Sequence, residues 1–238
     1  MGYRELPVTG PMRPLVECGW LSDGPGRPVH VLPDGCMDLI RMDGRVVVAG
    51  PDTVASRSVH GEAPVAGLRF RPGVLPRLLG VPASALRNVR VPLADVVRVP
   101  EAPTLTALAL TLAADAEPAQ SAPWTLGALR HVTGRVAGGA SVAEVAAELG
   151  RSPRTLQRQC TAVYGYGPAT LRRVLRFRRA VRMLRDGVPY SEVAARTGYA
   201  DQPHLHREVR ALAGMSLSQL ASGAYRSTEV PSGSATVA

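Results

Sequence analysis

The chain has 238 residues, 45% of them hydrophobic, and a formal charge of +9 at pH 7. That supports one large or two small domains with a proper core and excludes a disulfide-held miniprotein, because the three cysteines (Cys18, Cys36 and Cys160) are odd in number and lack metal-ligand spacing. No apolar run is long enough to span a bilayer and no leader pattern stands at the N-terminus, so the expected compartment is the cytoplasm.

The first half reads as β-rich. Residues 29–32 (VHVL), 36–42 (CMDLIRM), 45–50 (RVVVAG) and 65–70 (VAGLRF) are short β-branched segments bounded by Pro-Asp-Gly, Met-Asp-Gly and Gly-Pro-Asp turns. Strands at this spacing predict a small barrel or sandwich. Residues 73–86 then carry Leu75, Leu78, Leu79, Val81 and Leu86 at helical spacing, broken at Pro82, and residues 104–116 read as a second helix. In the segment starting at Cys36, alternation places Cys36, Asp38 and Ile40 on one face, with Met37, Leu39 and Arg41 on the other. Trp20, His30, Cys36, Asp38, His60 and Arg69 are therefore candidate effector-binding residues. The competing reading makes Cys36 a buried small hydrophobe, Asp38 a cap at the sheet edge, the two histidines structural and Arg69 the partner of a nearby acid.

The Pro/Ala/Ser stretch 117–124 supports neither periodicity and marks a linker. Residues 1–121 are accordingly expected to form a regulatory, effector-binding or dimerisation domain, residues 122–226 an all-α domain, and residues 227–238 a disordered tail, giving an α+β chain.

The second half holds a duplicated signature, residues 141–165 and 190–214, which share Glu-Val-Ala-Ala and a turn glycine, Gly150 or Gly198. In the first copy Val142, Val145, Ala146 and Leu149 share a helical face. Ser152 offers an N-cap, Pro153 suits the first helical position, and Leu156, Cys160 and Val163 form the buried stripe of a second helix. Ser152, Arg154, Gln157, Arg158 and Thr161 then stand toward solvent. In the second copy Val193, Ala194 and Thr197 face inward, Asp201 caps, and Leu205, Val209 and Leu212 are the buried stripe. Gln202, Pro203, His206, Arg207 and Arg210 point out. Helix, tight turn, and a helix with polar groups outward is the geometry of a major-groove reader. Between the copies, residues 168–186 predict one continuous helix, with Leu171, Val174, Leu175, Ala180 and Leu184 available to both subdomains.

On these motifs, and on RRVLRFRRAVRML (residues 172–184) with GVPYSEVAARTGYADQPHLHREVRALAGMSLSQL (residues 187–220), residues 127–221 resemble the double helix-turn-helix domain of the AraC/XylS family of bacterial transcription regulators. The chain departs from the family pattern at Leu205 and Val209, where aromatic residues are usual, and at Cys160, which replaces a larger apolar group. The segment LPDGCMDLI resembles the β-rich domain of short actinobacterial members. The resemblance implies a double-stranded DNA operator, an activator or repressor acting near RNA polymerase, a small-molecule effector or homodimer contact in the first half, and a structural role for the linker arginine Arg176.

Charge agrees with that division. All 28 basic residues are arginine: 12 precede Gly127 against 12 acids, and 16 follow against 7. A neutral half joined to a strongly basic one fits a sensing module attached to a nucleic-acid module. Two rivals are a DNA-binding protein without an effector and a cysteine-dependent alkyl-transfer enzyme with Cys36 as nucleophile. Against the enzyme, the chain has no Pro-Cys-His-Arg sequence, no four-cysteine cluster and no hydrolase or phosphate-loop pattern. No catalytic residue, structural metal or cofactor is expected, while Cys36 and Asp38 on one face could contact a small-molecule effector or a soft metal.

Overall fold

The computed structural model describes residues 3–23, 28–59, 63–116 and 119–222; His60 and the expected tail lie outside them. The first half is built on a six-stranded antiparallel sheet in the order β1 (Tyr3–Leu6), β2 (Val16–Ser22), β7 (Val65–Phe70), β4 (Met37–Met42), β5 (Arg45–Ala49), β8 (Arg90–Pro92). A separate ribbon pairs β3 (Pro28–Val31) with β6 (Ser56–Val59). The strands expected at 29–32, 36–42, 45–50 and 65–70 are β3, β4, β5 and β7. Strands β1, β2, β6 and β8 lack that signature, because segments such as VECGWLS and SRSV carry Gly, Ser and charge in place of β-branched runs.

Register sorts the sheet into two faces. Leu39 opposite Leu68, and Met37 opposite Phe70, put apolar side chains on the face covered by α1 (Leu75–Leu79) and α2 (Leu105–Ala114). The other face carries Trp20, Arg69, Asp38, Ile40, Val47 and Ala49, since Asp38 pairs with both Arg69 and Ala49, and Ile40 with Val47. The helix expected across 73–86 divides where Pro82 demanded: α1 ends at Gly80, and a single 3-10 turn, Ala83–Leu86, follows.

The second half is helical throughout its described residues: α3 (Leu126–Ala137), α4 (Val142–Glu148), α5 (Pro153–Tyr164), α6 (Pro168–Arg185), α7 (Tyr190–Thr197), α8 (Gln202–Ala213) and α9 (Leu217–Ala221). Helix α3 escaped the periodicity reading because Gly127 and Gly134 dilute it, although Leu129, Val132 and Val136 are buried. Each turn is specified locally. Ser141 and Glu144 form a reciprocal capping box on α4, Ser152 and Asp201 accept from the backbone at the starts of α5 and α8, and Gly150 and Gly198 adopt φ of +61° and +78°. No described helix is long and apolar enough to cross a membrane.

The halves share a core. Phe70, Leu75 and Leu108 from the first half belong to one cluster with Leu129, Val163, Tyr164, Leu171 and Leu175 from the second. Gly73, at φ +78°, lies where a Cβ would come within 2.6 Å of Val163 and 2.8 Å of Leu129. Arg77 donates to the Trp124 carbonyl at 2.8 Å, across the expected linker. A fragment beginning at Ala122 is therefore expected to keep the recognition helices but to melt well below the full chain, because it exposes that apolar face to water. Calorimetry of both proteins checks this, and equal midpoints would mean that the shared core adds no stability. Gly73→Ala in the full chain should destabilise it by about 1–3 kcal/mol through overpacking, measured by urea unfolding.

Candidate nucleic-acid interface and a buried cavity

Helices α5 and α8 occupy the second position of each helix-turn-helix, and their buried stripes are Leu156, Cys160 and Val163 in one and Leu205, Val209 and Leu212 in the other. The opposite faces carry the sequence candidates: Arg154, Gln157, Arg158, Gln202, Pro203, His206, Arg207 and Arg210 are exposed and Thr161 is half-buried. Among the described residues, the guanidiniums of Arg154, Arg158, Arg207 and Arg210 make no hydrogen bond or ion pair with the protein and are available as donors. Three candidates also have structural duties. Ser152 caps α5 and meets the Thr155 hydroxyl at 3.0 Å. The Gln157 amide lies over Gly167, and the Thr161 hydroxyl donates to the Gln157 carbonyl at 3.0 Å. His206 packs edge-on against Tyr190, whereas His204 accepts from the Ala200 amide and so serves the turn.

The connecting helix α6 holds the second unit by its arginines. Arg173 grips Glu208 of α8 with a fork at 2.8 and 3.1 Å. Arg176 lies 4.2 Å above the Tyr199 ring, reaches Glu208 at 3.6 Å and donates to the Gly198 carbonyl at 3.3 Å. Arg179 donates to the Arg196 carbonyl. Arg176 and Arg179 thus cover the last carbonyls of α7, where the helix dipole favours cations.

Four of the six effector candidates converge. Trp20, Cys36, Asp38 and Arg69 line a cavity of about 310 Å³ on the second face of the sheet, together with Tyr3, Leu32, Asp34, Ile40, Val47, Asp52 and Arg90. Arg69, almost fully buried, reaches Asp38 at 3.2 Å and Asp34 at 3.3 Å. The indole nitrogen of Trp20 donates to Asp38 at 2.9 Å, and its ring lies across Gly67, where a Cβ would come within 2.2 Å of it. Asp38 therefore stands inside the sheet and does not cap its edge, and Arg69 does pair with neighbouring acids. Burial pushes the Asp38 carboxyl above its ordinary value despite Arg69. His30 lies elsewhere, on the ribbon, where its Nε2 accepts from Arg57 at 3.2 Å. The Cys36 thiol is buried and pushed well above its ordinary value, the wrong direction for a nucleophile. Burial likewise pushes the Cys160 thiol up to about 12. No group of three or more His, Cys, Asp or Glu side chains among the described residues could hold a metal.

Two contacts that the sequence did not reveal join this cavity to the helical half. Arg178 of α6 pairs with Glu17 of β2, one contact being 3.1 Å, and donates to the Cys36 sulfur at 3.6 Å. Leu32, a cavity wall, belongs to the second subdomain's core with Phe177, Leu205 and Leu212, and next to it the Ala55 amide donates to the Leu212 carbonyl at 2.6 Å.

A family model described as a helix-turn-helix domain matches residues 145–222, and one described as a domain of unknown function, DUF6597, matches residues 4–92. Among solved structures, the chain is similar to the C-terminal domain of AraT, a response regulator from Geobacillus stearothermophilus, with 25% identity, 44% of this chain and 85% of that one covered, and a TM-score of 0.36. It is also similar to ToxT from Vibrio cholerae, with 9% identity, 93% and 98% covered, and a TM-score of 0.48. No curated protein matches it.

Burial alone would raise the Glu17 carboxyl, but the adjacent Arg178 outweighs it and holds the group below the ordinary glutamate range. A depressed folded-state value contributes stability that is present above the unfolded value and lost as pH falls through the folded one. Replacing Arg178 by Met should therefore cost about 3–5 kcal/mol near neutrality by stranding Glu17. The double variant Glu17→Gln, Arg178→Met should recover part of that and show a shallower loss of stability on acidification below the ordinary glutamate value, read by thermal melts across pH. Arg176→Ala should cost about 1–2 kcal/mol through the lost ring and carbonyl contacts, and a melt superimposable on the parent's would contradict the geometry above.

Proposed function

We propose that this chain, an AraC-type helix-turn-helix transcription regulator joined to a DUF6597 domain, reads a double-stranded operator through both α5 and α8 and is controlled by a small molecule in the sheet cavity. The observation that carries the DNA-reading part is the pair of outward helix faces with unengaged arginines, held on one connecting helix. At about 1.5 Å per residue the 18 residues of α6 span roughly 27 Å. Successive major grooves on one face of B-DNA recur about every 34 Å, a separation that a rigid connector of this length suits.

Arg154 and Arg158 stand one turn apart on α5, as do Gln202 or Pro203 with His206 and Arg207 on α8, a spacing that suits base edges. Ser152, Thr161 and Arg210 are assigned to backbone or flanking contacts, and Gln157 reads bases only if its amide leaves Gly167. Contact with RNA polymerase and pairing of two copies on the operator belong to the same proposal and need surfaces other than α5 and α8.

Control by an effector is supported by the walls of the cavity. Leu32 and Cys36 each touch the ligand space on one side and the helical half on the other, so an occupant that displaces either acts directly on the second reader or on Arg178. This makes a DNA-binding protein without an effector the weaker reading.

Sites selected from random DNA, followed by hydroxyl-radical footprinting, test the proposal. Two protected patches about one helical turn apart are expected. Arg158→Ala and Arg207→Ala should each cost about 1–3 kcal/mol on the selected site and relax preference at a different position. Equal loss on random DNA would make them phosphate contacts. A single patch unaffected by Arg207→Ala would remove α8 from base reading. Affinity should fall steeply with salt, as arginine–phosphate contacts release condensed counterions.

A further inference from the structure

We infer that the sheet cavity takes a monocation with an apolar body: an ammonium-type head at its carboxylate end and a hydrocarbon or aromatic portion along its aliphatic wall. This rests on the reading of the cavity as a ligand site and goes further by fixing the ligand's charge. Around Arg69 stand three carboxylates, Asp38 at 3.2 Å, Asp34 at 3.3 Å and Glu5 at 3.9 Å. One guanidinium thus faces three carboxyl groups. The other charges nearby are already balanced in pairs, Asp52 with Arg90 by a two-point contact and Glu17 with Arg178. Among the described residues, the polar end of the cavity therefore carries more carboxylates than guanidiniums in a setting of low polarity, where uncompensated charge is costly.

The aromatic wall points the same way. Trp20 lies flat on Gly67, and Tyr3 stands with its ring centre 5.9 Å from it. The indole N–H is committed to Asp38, which leaves the ring surface as its remaining contact. Aromatic faces beside carboxylates suit a cation twice over, through the ring quadrupole and through direct charge pairing. Val31, Leu32, Ile40, Met42, Val47 and Val91 supply the apolar remainder. An anionic ligand would have to take Arg69 or Arg90 from acids that already hold them, and would add to the negative excess. The volume, about 310 Å³, is at the small end for ligand pockets and suits a compact molecule.

Three isosteric probes, phenylbutylammonium, phenylbutanol and phenylbutyrate, separate the charge states at constant shape. The protein is the full chain carrying Trp124→Phe, so that Trp20 is the sole tryptophan; the Trp124 indole nitrogen makes no hydrogen bond, phenylalanine keeps an aromatic ring in the core beside Tyr164, and the variant's own thermal midpoint without probe is the reference. Near neutral pH the ammonium probe is expected to change Trp20 fluorescence saturably and to raise the thermal midpoint, binding at least ~10-fold more tightly than the alcohol, as expected for a charge pair in a low-polarity site. The carboxylate should be the weakest. Glu5→Gln, 3.9 Å from Arg69, should lower the ammonium's advantage while leaving the Arg69–Asp38 pair in place, and Asp38→Asn should lower it further.

Tighter binding of the carboxylate, or equal binding of ammonium and alcohol, overturns the charge assignment and leaves the cavity a ligand site. No response to any of the three overturns the ligand-site reading as well.

Discussion

Helix α6 has to satisfy three partners at once, and the arrangement of the molecule follows from that. Leu171, Val174 and Leu175 sit in the core shared with the sheet and the first reader. Phe177, Ala180, Val181, Met183 and Leu184 sit in the core of the second reader. At the start of the second stretch, next to Phe177, Arg178 leaves the helix sideways to meet Glu17 and Cys36. A helix with only one apolar stripe would serve one partner; this one is buried on successive sides along its length, with charged groups at the seams.

The sheet's second face has a different logic. Its strands place a buried guanidinium, a buried carboxylate and an indole on adjacent positions, with the buried Asp34 just before β4, where a soluble domain ordinarily places aliphatic side chains. Desolvating these groups is expensive, and their mutual hydrogen bonds offset only part of it. Polar groups are collected around an open volume, while the opposite face of the same sheet is filled with Leu39, Leu68 and Phe70. The turn through Asp34, Gly35 and Cys36 touches both the cavity and the connecting helix. Asp34 accepts from the Cys36 amide at 2.8 Å and pairs with Arg69, and a Cβ on Gly35 would come within 3.3 Å of Leu175 on α6. The cavity floor and the connector helix therefore press on one short segment.

The sequence by itself determined the two helix-turn-helix units and the helix between them. Its apolar repeats, capping residues and turn glycines are local signals, each acting within about one or two turns, so α4, α5, α6, α7 and α8 and their outward faces were legible residue by residue. The same holds for β3, β4, β5 and β7, and for the face shared by Asp38 and Ile40, because alternation in a strand is local too. What only the tertiary structure decided are the pairings across long sequence separations. Glu17 with Arg178, Trp20 with Asp38, Asp34 and Asp38 with Arg69, and Leu32 among Phe177, Leu205 and Leu212 leave no periodic trace, since each partner alone looks like an ordinary surface acid, arginine or strand residue. His30 shows the converse: a residue type suggestive in sequence that the fold carries away from the cavity. Local patterns follow from steric preferences a few bonds long, whereas a cavity and its coupling to a distant helix exist only once chain segments far apart in sequence have been brought together.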